Sequence, residues 1–580
     1  MKSHLHFLAA VLLFFSVQSR VFSQDNASAI EDLLAQYHEL GKFNGSALIA
    51  FDGKVVYKGG AGDANMEWDI PNNENTKHRL GSITKQFTAM LILQLAQEGK
   101  LDLQAPINTY LADYPEKTGS IVNTHHLLTH TSGIPNYTAF PDFFSEKSRD
   151  PSTPKDFIDN FSEMDLEFEP GSKFSYSNSG YFLLGVLLEE STGKSYENLL
   201  HERILDPLNM HDSGYNNHED ILSNRAAGYE KRGRSYINAP YLDMSLPYAA
   251  GSMYSSANDL YKWDRALYSN NLLSEEYMEM YFKPYIPAFG DASYAYGWGV
   301  GKEAIGNSTD SLYIIQHGGG INGFNTLISR SPTDESLVVL LNNTGGAPLG
   351  EMGHSIRAIL YGKSYNKPKA SLAYDVLDKV YSDGLDEGLA YYKANKDSES
   401  FEVSEGEFND IGYELLATEK LNDAAAIFKL NMEAFPKSFN VYDSYAEAKM
   451  KQGEDEEAIK YYKKSVEMNP GNQNGIDKLK KLGVSEEDIV QDAVLTEEQL
   501  DKHIGQYELM PDFVITITRE GTQLKAQATG QPVFDIFPKS ENEFYLKVVP
   551  AQLKFNSNEE GETVSVTLLQ GGRETTGNKL

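Results

Sequence analysis

The spacing of apolar residues changes period twice along this 580-residue chain, so one core cannot accommodate it. From about 28 to 365, strand-like and helix-like stretches alternate. Ser46–Ala50 and Lys54–Tyr57 flank Asp52-Gly53, a hairpin signal. Ser82 to about Gln97 carries Ile83, Phe87, Met90, Leu91 and Leu95 at helical spacing, which predicts an amphipathic helix. Ser311–Ile315 and Leu337–Asn342 read as buried strands. This mixture predicts an α/β or α+β layer fold. From about 370 to 485 the pattern is helical throughout. From about 495 to 580 it becomes short runs: Phe513–Thr518, Leu524–Ala528, Phe534–Phe537, Glu543–Val548, Gln552–Phe555 and Val564–Leu569. Turns such as Glu520-Gly521 and Glu560-Gly561 separate them, predicting a small antiparallel barrel or sandwich.

The N-terminus reads as a cleavable secretory signal over 1–23. Lys2 precedes an apolar run from Phe7 to Val17, and Val21 and Ser23 are small enough for cleavage before Gln24. That run is too short to span a bilayer, and nothing later reaches spanning length. The chain has no cysteine, which excludes disulfides, thiolate catalysis and thiolate metal ligands. An exported chain of this kind fits a bacterial periplasm or medium. The formal charge of −32 becomes −34 when Lys2 and Arg20 leave with the signal. Phosphate backbones and anionic lipid repel such a chain, so nucleic acid is not expected as a partner, and no membrane span is expected in the mature chain.

Within the helical segment, Ala424, Phe428 and Pro436 recur 34 residues later as Ala458, Tyr462 and Pro470. This period resembles the tetratricopeptide repeat and implies a possible docking surface for a protein partner. Gly412 and Gly453 fall where helices turn or approach closely, and Ile476–Leu482 reads as a capping helix. The tail resembles the lipocalin-like C-terminal domain attached to some β-lactamase-related hydrolases.

Ser82-Ile83-Thr84-Lys85 opens the amphipathic helix. A Ser and a Lys three apart share one helical face. At a helix N-terminus, backbone N–H groups stabilise developing negative charge, and a desolvated Lys can take the hydroxyl proton. The same pattern occurs at Ser152–Lys155, Ser191–Lys194 and Ser364–Lys367, but none of these opens a long amphipathic helix. Tyr176-Ser177-Asn178 offers a proton relay and an amide that can hold a substrate. His317-Gly318-Gly319-Gly320 follows the strand Ser311–Ile315, and its bare backbone can approach a ligand closely. His126 and His130 sit four apart, but no third metal ligand stands out, so no metal or other cofactor is expected.

The order of these motifs carries a family resemblance. His78-Arg79-Leu80-Gly81 leads into Ser82. Leu127-Leu128-Thr129-His130-Thr131-Ser132-Gly133 follows, then Glu169-Pro170-Gly171 before Tyr176-Ser177-Asn178. Pro207-Leu208-Asn209-Met210, Ala250-Gly251-Ser252, Tyr296-Gly297-Trp298-Gly299 and His317-Gly318-Gly319 complete the set. The segment resembles the class C serine β-lactamases and their DD-peptidase, D-aminopeptidase and esterase relatives, with their β-lactamase/transpeptidase-like fold. The resemblance implies Ser82 as acylated nucleophile, Lys85 as its activator, Tyr176 as proton relay and His317 as a fourth catalytic group. It implies substrate contacts at Asn178, Gly318, Gly319 and Gly320, with the N–H groups of Ser82 and Gly320 as the oxyanion hole.

One departure stands out. β-Lactamases present Lys-Thr-Gly where this chain has His317-Gly318-Gly319, so it lacks a fixed cation for a substrate carboxylate. The expected function is an exported serine hydrolase acting through an acyl-enzyme on D-amino-acid-containing peptides or small esters. The alternatives are a β-lactamase proper, or a non-catalytic penicillin-binding or sensing protein that uses the repeats and barrel to bind a partner.

Overall fold

The computed structural model describes residues 25–580 apart from 490–492, 494, 511–512, 550, 559–560 and 571–572. The expected signal segment therefore lies outside the described residues. The chain divides into two units, Met1–Pro368 and Lys369–Leu580.

The first unit is organised by an eight-stranded sheet. Its strands are β1 (Gly45–Phe51), β2 (Lys54–Ala61), β3 (Ile286–Phe289), β4 (Ala292–Tyr294), β5 (Gly299–Ala304), β6 (Ser311–Ile321), β7 (Phe324–Ser331) and β8 (Ser336–Asn342), in the order β3-β4-β5-β6-β7-β8-β1-β2. Every pairing is antiparallel, so α+β is the better of the two class names. Helices α1 (25–39) and α4 (Leu349–Leu360) pack on one face of the sheet, while α2 (Thr84–Gln97) and α3 (Asn178–Thr192) belong to the larger core beyond the other.

The apolar run at Leu337–Leu341 has a simple cause. Successive strand side chains point to opposite faces, and here both faces are covered. Ala47, Ile49, Val338 and Leu340 pack with Ile30 and Leu34 of α1 and Ile356 of α4. Leu48, Ala50, Leu337, Val339 and Leu341 pack into the larger core with Phe87 and Met90 of α2. Each fully buried side chain of this size contributes roughly 1.5–3 kcal/mol.

Helix α2 differs from expectation. Thr84 through Ala96 are all buried, so the helix is central rather than amphipathic. Several of its polar groups find partners inside the core, although Gln86 Nε2 and Gln94 Oε1 do not. Thr88 Oγ1 donates to Ala249 O at 2.7 Å, Gln94 Nε2 to Leu272 O at 3.3 Å, and Trp263 Nε1 to Gln86 Oε1 at 3.1 Å. Polar side chains within an apolar periodicity gave the appearance of a wet face.

In the second unit, helices Glu405–Ala417, Leu421–Ala434, Phe439–Lys451 and Asp455–Met468 pack each on the next, and Gln473–Lys481 follows. Ala424, Phe428, Ala458 and Tyr462 are fully buried. Gly412 permits a close crossing, since a β-carbon there would lie 2.4 Å from the Phe428 ring.

The tail is a closed antiparallel barrel of eight strands. Six match the predicted runs to within a few residues. The two not predicted, Gly505–Met510 and Arg573–Lys579, pair with each other and close the barrel, with Tyr507 opposite Lys579. Gln552 Nε2 donates to Met468 O at 2.6 Å, one link between barrel and helices. Among the described residues no helix is long and apolar enough to cross a membrane.

Candidate active site

Ser82 sits in a single 3-10 turn, Gly81–Ile83, that runs directly into α2. Gly81 has φ +55°, a left-handed backbone that favours glycine. The turn is pinned on both sides. Leu80 N donates to Met253 O at 2.8 Å, and Thr326 Oγ1 on β7 donates to Leu80 O at 2.7 Å.

Beside this turn runs β6, which continues through the glycines rather than ending at Ile315. Gly318, Gly319 and Gly320 pair with Leu327, Thr326 and Asn325 of β7, which carries the strand on to Ile321. The other neighbour, β5, pairs only as far as Gln316, so residues 317–321 leave one strand edge open. The glycines serve the approach of that edge to the serine turn. A β-carbon on Gly319 would lie 1.9 Å from Leu80 O, and one on Gly81 would lie 2.9 Å from Gly320 N. Gly319→Ala is therefore expected to push β6 away from Ser82. Ester turnover should fall at least about tenfold, with a stability cost of roughly 1–3 kcal/mol. Parallel melts and rates check this, and a fully active variant would show that the spacing does not matter.

Lys85 is fully buried. Its Nζ hydrogen bonds to Asn178 Oδ1 at 2.8 Å, to Ala250 O at 2.9 Å and to Ser82 Oγ at 3.2 Å. It also lies 4.9 Å from the Tyr176 ring centroid and 5.5 Å from that of Tyr181. Burial holds this amine well below the usual lysine range. A neutral amine has two N–H bonds and one lone pair. Two of its three neighbours are carbonyl oxygens, which only accept, so both N–H bonds are committed there. In that neutral form the lone pair would face the Ser82 hydroxyl, an arrangement suited to taking the serine proton. By contrast, the Lys of the Ser152–Lys155 pair is exposed and binds Asp113 at 2.8 Å.

Tyr176 and Asn178 flank the start of α3, capped by Ser177, whose Oγ accepts from Gly180 N at 3.4 Å. Asn178 is held from three sides: its Oδ1 by Lys85, its Nδ2 by Thr138 Oγ1 at 3.1 Å, and its backbone N by Asn136 Oδ1 at 3.1 Å. One Nδ2 hydrogen remains for another acceptor. Tyr176's hydroxyl is buried without a well-formed hydrogen bond. Burial raises its pKa above the usual phenol range, with the nearby Ser82 hydroxyl opposing this.

His130 is the residue whose place here the motif reading did not find. Its Nδ1 accepts from Ser177 N at 3.1 Å, and its backbone O accepts from Ser175 N at 2.8 Å. Its ring centroid is 4.2 Å from that of Tyr176. It thus grips the Tyr176-Ser177-Asn178 segment by backbone and ring. No sequence signal beyond Leu-Leu-Thr-His pointed to this. His126 instead helps cap the helix Thr124–Leu128. Among the described residues no group of three or more His, Asp or Glu side chains is placed to hold a metal ion.

His317, expected as a fourth catalytic group, is tied into the fold. Its Nδ1 faces Gly318 O at 2.6 Å, and a carbonyl only accepts, so Nδ1 carries the hydrogen. Nε2 then accepts from Tyr294 OH at 2.9 Å. Both ring nitrogens are committed, and neither bonds to Lys85 or Tyr176. Burial pushes the imidazole down to about 4, although the side chain remains half-buried. It is a neutral acceptor across the physiological range, not a group poised near neutrality. Tyr294, which fixes it, was also not singled out by sequence.

Ser82 stands between two cavities. One, of about 380 Å³, includes Asn178 and Gly320 in its walls; the other, of about 740 Å³, includes Tyr176, His317 and Gly318.

This arrangement has known counterparts. The Beta-lactamase family model matches residues 27–361. The chain belongs to the β-lactamase family. A second model, a domain of unknown function (DUF3471), matches residues 493–578, the barrel. PbpX of Bacillus subtilis (strain 168), whose name assigns it to the penicillin-binding proteins, is 32% identical over 56% of this chain and 76% of that one. The D-amino acid amidase of Ochrobactrum anthropi SV3, solved with L-phenylalanine, is 25% identical with a TM-score of 0.51, over 58% of this chain and 99% of that one. The octameric penicillin-binding protein homologue of Pyrococcus abyssi covers 95% of this chain and 99% of its own, with a TM-score of 0.51. At 22% identity, that last likeness concerns the fold alone. This β-lactamase-family protein is a serine hydrolase by fold and kinship.

Proposed function

We propose that this β-lactamase-family enzyme is exported and hydrolyses D-amino-acid-containing peptides, their amides or small esters through an acyl-enzyme on Ser82. The observation that carries the reading is the buried Lys85 amine, 3.2 Å from Ser82 Oγ and held by Asn178 Oδ1 and Ala250 O, with burial keeping it well below the usual lysine range. In the first half-reaction Ser82 Oγ attacks the substrate carbonyl carbon while Lys85 takes its proton. The N–H groups of Ser82 and Gly320 receive the oxyanion, a kind of contact worth roughly 2.7–4 kcal/mol per donor. Tyr176 passes the proton to the leaving group, and Asn178 offers its remaining N–H to a substrate carbonyl. Water, activated by the same groups, then releases the acid.

His317 and Gly318 shape the mouth without supplying a cation, which favours neutral leaving groups over the carboxylate of a β-lactam. The signal-like start supports export. The helical segment over 370–485, with its resemblance to tetratricopeptide repeats, supports a protein-docking or spacing role for that region.

The test is a panel of D-alanyl peptides, nitrophenyl esters and a chromogenic cephalosporin, with a fluorophosphonate probe mapped by peptide mass. Turnover of peptide or ester with label on Ser82 is expected. Cephalosporin turnover exceeding both would instead make the protein a β-lactamase proper. A folded protein that neither labels nor turns over any of them would make it a binding protein.

A further inference from the structure

The two cavities flanking Ser82 differ in what they can do to a substrate. A leaving group must depart beside the group that protonates it, and Tyr176 lies in the wall of the 740 Å³ cavity. The acyl portion must then extend the other way, past Asn178 and Gly320, into the 380 Å³ cavity. Aromatic and aliphatic side chains, among them Tyr137, Phe143, Phe144 and Leu242, form much of that second chamber.

One residue in its wall departs from this apolar character. Glu230 is the sole formally charged side chain lining the chamber. It stands on a short hairpin strand, Tyr229–Arg232, and is half-buried. Among the described residues no cation pairs with its carboxylate and no donor hydrogen bonds to it. Glu303, in the leaving-group cavity, is different: it is bound by Arg357 and Gln316. A half-buried carboxylate facing an apolar chamber without a partner has an unmet demand for a cation.

We propose that Glu230 accepts an ammonium group carried by the acyl portion of the substrate. The enzyme then selects aminoacyl or peptidyl amides and esters that keep a free amine. This rests on Ser82 being the acylated residue, and it narrows the substrate class of that reaction. The aromatic walls hold the side chain of the acyl residue while Glu230 fixes its amine. An acylated amine or a carboxylate in the same position would leave Glu230 unpaired or repelled.

The experiment compares D-phenylalanine p-nitroanilide with its N-acetyl derivative, and uses p-nitrophenyl butyrate as a neutral control. Wild type should prefer the free amine by at least about tenfold in kcat/KM, the scale of one hydrogen bond to a charged group. Glu230→Gln should bring that ratio close to one while butyrate turnover stays unchanged, which also shows that the variant is folded. Glu230→Lys should invert the ratio. An undiminished ratio in Glu230→Gln, or no preference in wild type, would overturn the assignment. A second readout does not depend on the chemistry. Calorimetric binding of D-phenylalaninamide to Ser82→Ala should exceed that of N-acetyl-D-phenylalaninamide, and adding Glu230→Gln should remove the difference. Failure of Ser82 acylation with this binding difference intact would overturn the hydrolase reading and leave Glu230's role standing; loss of the binding difference with acylation intact would do the reverse.

Discussion

Ser82→Ala is expected to lower ester and peptide turnover by about 10,000-fold or more while the protein keeps its fold. Where nucleophile and base act as a unit, removing either costs close to the full contribution of the set. The stability cost should be small. The Ser82 hydroxyl shares one long hydrogen bond with Lys85, the turn is fixed by Gly81, Leu80 and Thr326, and a net hydrogen bond is worth roughly 0.5–1.5 kcal/mol. Rates, fluorophosphonate labelling and a thermal melt on one preparation separate the two effects. Ser152→Ala, Ser191→Ala and Ser364→Ala serve as controls and should leave turnover unchanged. A Ser82→Ala protein that still labels, or a control that loses activity, would move the nucleophile elsewhere.

Much of this site was readable before any coordinates because its chemistry is local. Ser82 and Lys85 are three residues apart on one helical turn, and Tyr176 and Asn178 surround a single cap residue. A short motif fixes such geometry almost by itself. The residues that sequence left unassigned act across long separations. His130 grips residues 175–177 from 47 positions away along the chain, and Tyr294 fixes His317 from 23 away. Neither histidine nor tyrosine carries a spacing signal for such work, since buried aromatic residues abound in any core. His317 shows the same limit: the motif marked it as a fourth catalytic group, but a neighbouring carbonyl and a tyrosine hydroxyl commit both ring nitrogens, and only the fold supplies those partners.

The strands teach a related lesson. The reading stopped β6 at Ile315 because three glycines weaken any strand pattern. Pairing with β7 carries the strand through them, and the missing side chains are what let it lie against Leu80 and Gly81. In the barrel, Tyr507 and Leu509 alternate with exposed residues over Gly505–Met510, so the period-2 signal was present. That strand was missed because it follows directly on a helical segment. Closure of the ring then depends on its pairing with the last strand of the chain, a contact between segments some seventy residues apart.

Lys85 offers the sharpest test of how the serine is activated. Lys85→Met should lower turnover about 1000-fold, the scale of a lost general base. Lys85→Arg should be equally inactive, because a guanidinium cannot give up its proton. An active Arg variant would mean that position 85 needs only a cation. The pH dependence follows from the same burial. The amine titrates well below its ordinary value of 10.5, so it is neutral, and competent as a base, above its folded pKa. As pH falls through that value the amine gains a proton and kcat/KM should drop, giving an acid limb that belongs to Lys85. Stability carries the matching sign. Between the folded pKa and 10.5 the unfolded chain binds a proton at Lys85 that the folded chain does not, so wild-type stability rises with pH across that window. Lys85→Met lacks this term. Its stability relative to wild type should therefore be highest at the acid end of the window and decline as pH approaches 10.5. Denaturant melts of both proteins at pH 6.5 and 9.5 measure the difference. A gap that stays constant, together with an acid limb that survives unchanged in the residual activity of Lys85→Met, would mean that Lys85 is charged in the fold and that another group takes the proton from Ser82.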